Sequence, residues 1–148
     1  MKVLFVCRGN VGRSQIAEAI FKQLTAEKYP VESAGTEARG SEGKDLDGMI
    51  LKDRVSSKYA IECLKEIGVD ISDNLIKRLT PEMVESSDKI IVMAKPDAVP
   101  AFLKNSEKVI YWDVSDPDGL TLETHRLIRD EIQKLVEELV ENGTLVGK

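Results

Sequence analysis

Histidine occurs once and cysteine twice in this sequence of 148 residues, and the two thiols, Cys7 and Cys63, lie far apart in the chain. Two cysteines can pair only once, which excludes the disulfide framework of a small secreted domain. One histidine and two distant cysteines also make a poor zinc site, since a structural site wants four convergent ligands. Neither a metal nor another cofactor is expected. Long apolar runs are missing too, and none approaches the ~18 residues of a membrane span. The apolar start after Lys2 is too short for a signal peptide, because Arg8 interrupts it where the hydrophobic region should continue. A buried strand in a cytoplasmic protein is the expectation. Basic residues are in deficit, 21 Lys and Arg against 26 Asp and Glu, for a net charge of −5. That balance argues against a broad nucleic-acid or anionic-membrane surface, yet leaves room for a local anion pocket.

What is present suits one soluble globular domain over residues 1–148, with 42% apolar and 32% charged residues. Residues 2–6 are nearly continuous in apolar side chains, as in a strand buried on both faces. A glycine-bearing turn follows, then a helix from about Ser14, where Ala17, Ile20, Phe21 and Leu24 recur on one face. Residues 31–34 form a short candidate second strand. The stretch 35–55 is polar and aperiodic, and loops of that length often lie over a functional site. A second helix is expected from about Ser57 to a stop at Gly68. Thr80-Pro81 has the form of an N-cap followed by proline at the first helical position. Residues 89–93 and 108–112 are further strands, with a helical segment over 96–103 between them. A last helix over 121–141 carries Ile128, Ile132, Leu135, Val136 and Leu139 on one face and ends at Asn142-Gly143. Strands alternating with helices predict a four-stranded parallel sheet with helices on both faces, an α/β fold. Ligands bind such sheets at the carboxyl ends of the strands.

The run Cys7-Arg8-Gly9-Asn10-Val11-Gly12-Arg13-Ser14 sits between the first strand and the first helix. Five short or glycine-containing residues can curl so that successive backbone N–H groups make an anion nest. The helix start adds its own free N–H groups and the positive end of its dipole. Arg13 can clasp two oxygens of a tetrahedral anion with its planar fork. The same positive field favours Cys7 as a nucleophilic thiolate, and Ser14 can donate a hydrogen bond to the sulfur. A cysteinyl-phosphate mechanism also needs a general acid. Asp116 follows the fourth strand, with Pro117 to stiffen its loop. Asp-Pro turns are common, so spacing alone leaves the role of Asp116 open.

The run from Val3 to Ser14, with Asp116-Pro117 near the C-terminal end, resembles the low-molecular-weight protein tyrosine phosphatase family, which includes related arsenate reductases. The resemblance covers essentially the whole chain, since Ser33-Ala34-Gly35-Thr36 and Gly68-Val69-Asp70-Ile71-Ser72 also fit. It implies a phosphomonoester hydrolase working through a cysteinyl-phosphate, with a phosphorylated protein, a small phosphate ester or arsenate as its partner. By the resemblance, Cys7 is the nucleophile, Arg13 the phosphate clamp and Asp116 the acid and base. Arg8, Gly9, Asn10, Val11, Gly12 and Ser14 make the phosphate-binding loop, and Ser33 and Asn74 support it from behind. The chain also departs from the family pattern. Gly12 stands where many members carry a second cysteine, and Asp118-Gly119 stand where aromatic residues often follow the Asp-Pro pair. Gln15 is closer to the arsenate reductases, whereas Met93-Ala94-Lys95-Pro96 lacks the extra cysteines of the thioredoxin-linked ones. A reductase using a small thiol, needing only Cys7, is the alternative; a non-catalytic phosphate-binding module is the third.

The remaining candidates have plainer expectations. Cys63 falls on an apolar helical stripe and reads as core. His125, among charged neighbours, is expected at the surface, and Tyr111 and Trp112 in the core rather than at the pocket mouth. With no aromatic residue in 35–55, weak preference for phosphotyrosine is expected, and Arg8 is placed to meet a second anionic group on a substrate.

Overall fold

A computed structural model describes residues 1–39 and 43–141. Its first strand, β1 (Val3–Cys7), is buried along its whole length, as a strand covered on both faces must be. Val3, Phe5 and Cys7 point into one hydrophobic cluster and Leu4 and Val6 into another. β2 (Val31–Gly35), β3 (Lys89–Val92) and β4 (Val109–Tyr111) complete a parallel sheet in the order β2-β1-β3-β4. The chain leaves β1 toward β2 on one side and returns to β3 on the other. The segment after β1 therefore lies at the point where the strand order reverses, the usual place for a ligand crevice.

The α-helices among the described residues are α1 (Arg13–Thr25), α2 (Lys58–Lys65), α3 (Pro81–Ser86), α4 (Ala101–Lys104) and α5 (Leu122–Glu141). α1 and α5 pack together, with α2 against α5, over the Phe5 face of the sheet, burying Ile16, Ile20, Phe21, Leu64 and Ile132 with it. α3 and α4 cover the Leu4 face through Val84 and Leu103. The buried face of α1 is Ile16, Ala17, Ile20 and Phe21, whereas Leu24, expected to join it, is 39% exposed at the end of the helix. α2 stops where Gly68 takes φ +85° and the N–H of Val69 returns to the carbonyl of Leu64. Thr80 caps α3 by accepting from the N–H of Met83, as its sequence predicts. The helix expected over 96–103 is instead a 3-10 turn, Pro96–Ala98, and the single turn of α4. Pro100 lacks an N–H and holds Val99 extended, which breaks the run. The expected stop at Asn142-Gly143 lies outside the described residues. No helix among them is long and apolar enough to cross a membrane.

Candidate active site

β1 delivers Cys7 to the carboxyl end of the sheet, and the backbone curls through residues 8–12 before α1 begins at Arg13. The curl depends on Asn10, whose φ of +59° is a left-handed conformation that asparagine tolerates better than most side chains. Its backbone N–H turns back to the Cys7 sulfur at 3.3 Å. The buried side-chain amide of Asn10 is fully used. Nδ2 donates to Ser14 Oγ at 2.8 Å and to Ser33 Oγ at 3.0 Å, and Oδ1 accepts from Gln15 Nε2 at 3.1 Å and the N–H of Lys77 at 2.9 Å. These bonds settle the direction of the next one. Ser14 Oγ accepts a hydrogen bond from Asn10 Nδ2 and lies 3.0 Å from Cys7 Sγ, so its own hydroxyl hydrogen is free to point at the sulfur. Two donors thus converge on the Cys7 thiol.

Arg13 is 8% exposed, and its guanidinium is held at one end. Nη1 donates to the carbonyl of Val114 at 3.0 Å and also to that of Met93. With both Nη1 hydrogens spent on segments that follow β4 and β3, the Nε–Nη2 edge remains to receive two oxygens of an anion. Asp116 Oδ2 lies 3.6 Å from Nη2, a charge pairing longer than a hydrogen bond, with a half-exposed side chain. Asp116 Oδ1 accepts from the N–H of Asp118 at 3.0 Å, which fixes the turn at the buried Pro117.

The loop is pressed from behind by the end of β2. A Cβ on Gly35 would stand 2.8 Å from the Arg8 carbonyl oxygen and 2.9 Å from the Asn10 nitrogen. Beyond it, the N–H of Thr36 bonds to the Cys7 carbonyl, and those of Glu37 and Ala38 bond to the Arg8 carbonyl. Ser33 donates to Glu18 Oε1 at 2.5 Å, and Lys22 pairs with that carboxylate at 3.3 Å. Asn74 does not touch the loop. It donates to Gln15 Oε1 at 3.1 Å, and Gln15 carries the contact on to Asn10.

The cleft over Cys7 has a volume of about 240 Å³ and is lined by Arg8, Gly9, Val11, Gly12 and Arg13 with Asp116 and Asp118. Glu37, Arg39, Arg54, Ser56 and His125 also reach it. His125 corrects the expectation of a surface residue: it is 2% exposed, edge-on to the ring of Tyr59 with centroids 5.5 Å apart. It continues the inward stripe of α5 one turn beyond Ile128, a register that the charged neighbours Glu123 and Arg126 mask in the sequence. Gln15 and Glu18, both buried beneath the loop, were likewise not singled out as structural; polar residues on the inner face of α1 are the available signal. Tyr111 is 40% exposed rather than core, because β4 is an edge strand. With Trp112 it lines an adjoining cleft, beside residues 93–98, that shares Arg8, Arg13 and Asp116 with the one over Cys7. Cys63 is fully buried, its thiol donating to the carbonyl of Ala60, and burial pushes it up to about 11.

The family model of low molecular weight phosphotyrosine protein phosphatases matches residues 2–145. An arsenate reductase of Staphylococcus haemolyticus is 31% identical over 94% of each chain, and one of Halalkalibacterium halodurans is 31% identical over 95% of this chain and 96% of its own. Among solved structures, a low molecular weight protein tyrosine phosphatase from T. tengcongensis superposes with a TM-score of 0.76 at 30% identity, covering 96% of this chain and 99% of that one. The arginine phosphatase YwlE, in a mutant carrying a phosphorylated active-site serine, gives a TM-score of 0.78 at 26% identity, covering 98% and 97%.

Proposed function

This chain belongs to the low molecular weight phosphotyrosine protein phosphatase family, a family of cysteine-dependent phosphatases, and from that premise we propose that it hydrolyses phosphomonoesters at Cys7. The thiolate attacks phosphorus while Arg13 holds two of the equatorial oxygens and the loop N–H groups hold the phosphate charge. The ester P–O bond breaks as Asp116 gives its proton to the leaving oxygen. Asp116 then takes a proton from water, the water oxygen attacks phosphorus, and the P–S bond breaks to release phosphate. The returning thiolate meets the Ser14 hydroxyl and the Asn10 N–H. The observation that carries this reading is the convergence of those two donors on the Cys7 sulfur, with the free edge of Arg13 on the same cleft.

A second reading is arsenate reduction, favoured by the arsenate reductases at 31% identity. The only other thiol, Cys63, is fully buried in α2 with its proton held high. Reduction would therefore need an added small thiol, since forming a disulfide between its sulfur and that of Cys7 gives up the two electrons that take arsenate to arsenite. The test is to assay wild type and Cys7→Ser side by side, in chelator, for aryl-phosphate hydrolysis and for glutathione-dependent arsenate reduction. Hydrolysis by wild type alone supports the proposal. Hydrolysis retained by Cys7→Ser above a few per cent would sink it, and arsenate reduction without hydrolysis would establish the second reading.

A further inference from the structure

Gln15 lies in the first turn of α1, wholly buried under the Cys7 loop, and its amide is used at both ends. Nε2 spends its two hydrogens on Asn10 Oδ1 at 3.1 Å and on the Leu75 carbonyl at 3.0 Å. Oε1 accepts from Asn74 Nδ2 at 3.1 Å. An apolar side chain of the same length would fill this space without the cost of burying an amide. The segment that Gln15 grips is itself braced. The Lys77 carbonyl accepts from the N–H of Gly35 at 2.8 Å, and the N–H of Ile76 donates to the Met49 carbonyl at 2.8 Å. Gln15 thus ties the side chain of Asn10 to a fixed stretch of backbone.

Three groups at the ends of this network cannot exchange the roles of donor and acceptor. The Leu75 carbonyl can only accept. The N–H of Lys77 can only donate, and reaches Asn10 Oδ1 at 2.9 Å. The Glu18 carboxylate, paired with Lys22, accepts the Ser33 hydroxyl at 2.5 Å. With these fixed, Gln15 turns its nitrogen to Asn10, and Asn10 turns its oxygen to Gln15 and its nitrogen to Ser14 and Ser33. The Ser14 hydroxyl is then left to donate to the Cys7 sulfur at 3.0 Å. Hydrogen bonds in such a chain polarise one another. The bond that Asn10 Oδ1 accepts from Gln15 makes Nδ2 the stronger donor, and Ser14 after it.

We propose that Gln15 is a positioning residue for the Cys7 thiolate: through Asn10 it aims the Ser14 hydroxyl at the sulfur and favours the charged, nucleophilic form. A hydrogen bond donated to the charged form of a group stabilises that form. Gln15 does not line the cleft over Cys7, so its effect falls on the sulfur rather than on the bound anion. In its consequence for turnover the proposal rests on the reading of Cys7 as the nucleophile of phosphomonoester hydrolysis; in its consequence for the thiol itself it does not.

The test is the rate at which iodoacetamide alkylates Cys7 near neutral pH, with the modified thiol assigned by mass spectrometry, since the thiolate is the form that reacts. Wild type, Gln15→Met, Asn10→Gly and the double variant are compared. Methionine keeps the length of Gln15 and cannot donate, and glycine accepts the φ of +59° at position 10 while deleting the amide. Gln15→Met should slow alkylation about threefold or more, the loss of one supporting hydrogen bond. It should have no further effect in the Asn10→Gly background, where its partner is gone. If Asn10→Gly does not fold, Ser14→Ala takes its place in the cycle with the same expectation. A purely structural role predicts the opposite direction, because a loosened loop uncovers Cys7, which is 2% exposed, and alkylation is then as fast or faster. That result, or an undiminished effect in the second background, overturns the proposal. With p-nitrophenyl phosphate, Gln15→Met should lower kcat by a similar factor while phosphate affinity, by calorimetry, stays within about twofold. A loss of phosphate affinity as large as the loss of kcat would assign Gln15 to the shape of the loop instead. If wild type turns over no ester, the phosphatase reading fails by itself, and the alkylation cycle still decides the role of Gln15.

Discussion

Gly35 occupies a position where one methyl group would decide whether the loop after Cys7 can keep its curl. Its added Cβ would meet the Arg8 oxygen, the Gly9 carbonyl carbon and the Asn10 nitrogen at 2.8–2.9 Å, and all three are backbone atoms of the loop. No side chain can swing aside, so Gly35→Ala must push the loop off β2 or open its curl. We expect the variant to stay folded, since the strand pairing of β2 with β1 does not need a hydrogen there, but to lose phosphate affinity and turnover together. Phosphate binding by calorimetry at the wild-type level would refute this. Asp116→Asn should behave differently, slowing esters of poor leaving groups by ~10²–10⁴-fold and those of good ones far less, because only the former need a proton. A Brønsted plot against leaving-group pKa reads this directly, and an unchanged slope would move the role to Asp118. Cys7 and Arg13 were legible as a pair because a loop of fixed length joins them, whereas the role expected of Asp116 came only with the family resemblance, an Asp-Pro turn after a strand being common. Arg39, Arg54 and His125 were not legible, because three separate segments bring them to the cleft.

At the scale of elements, α2 and α5 are joined by one carboxylate that serves two arginines. Glu66, at the end of α2, accepts from Arg126 Nε at 3.0 and 3.1 Å and Nη2 at 2.7 Å, and from Arg129 Nη1 at 2.7 Å. Arg129 Nη1 also reaches the Cys63 carbonyl at 2.7 Å, near the last turn of the helix, where a cation is favourable. The hydrogen bonds from Arg126, then those from Arg129, lower Glu66 from 4.5 to about 2. A folded-state pKa below the unfolded one contributes stability that is fully present above the unfolded value and is lost as pH falls through the folded value. The stability difference between wild type and Glu66→Gln should therefore be constant near neutrality and shrink between about pH 4.5 and 2. It should be modest, as the pair is exposed to solvent. Urea midpoints that fall in parallel over that window would show the bridge to be energetically silent. Thr80-Pro81 and Gly68 were readable as punctuation because their effects are local. The helix expected over 96–103 failed for an equally local reason: the apolar pattern was allowed to run through Pro100.

Over the whole molecule, the two faces of the sheet are covered unequally, and alternation along β1 could not have shown it, since both faces of that strand are buried alike. Which helices lie on which face follows from strand order and crossover hand rather than from any one segment's pattern. The long helices α1 and α5 pack on the Phe5 face, and the loop after Cys7 is tied to that side through Asn10, Gln15 and the start of α1. The Leu4 face is covered by α3 and α4, six and four residues long, with Leu79, Val84 and Leu103 as its buried contacts. Helices this short have no stability apart from their packing. Partial unfolding follows the layer with the fewest buried apolar contacts, so α3 and α4 should open while β1, β3, α1 and α5 remain formed. Native-state hydrogen exchange should find their amides opening at a lower free energy than those of β1. Leu103→Ala, costing ~2–5 kcal/mol if the site cannot collapse, should weaken protection in α3 and α4 more than in α1 and α5. Equal opening free energies for α4 and β1 would mean that the protein unfolds as one unit and the thin layer has no independence. Such an opening would reach the segment 93–98 beside Arg13 while leaving the Asn10 network closed. The Nη1 anchor on the Met93 carbonyl would then be the first contact of the site to loosen.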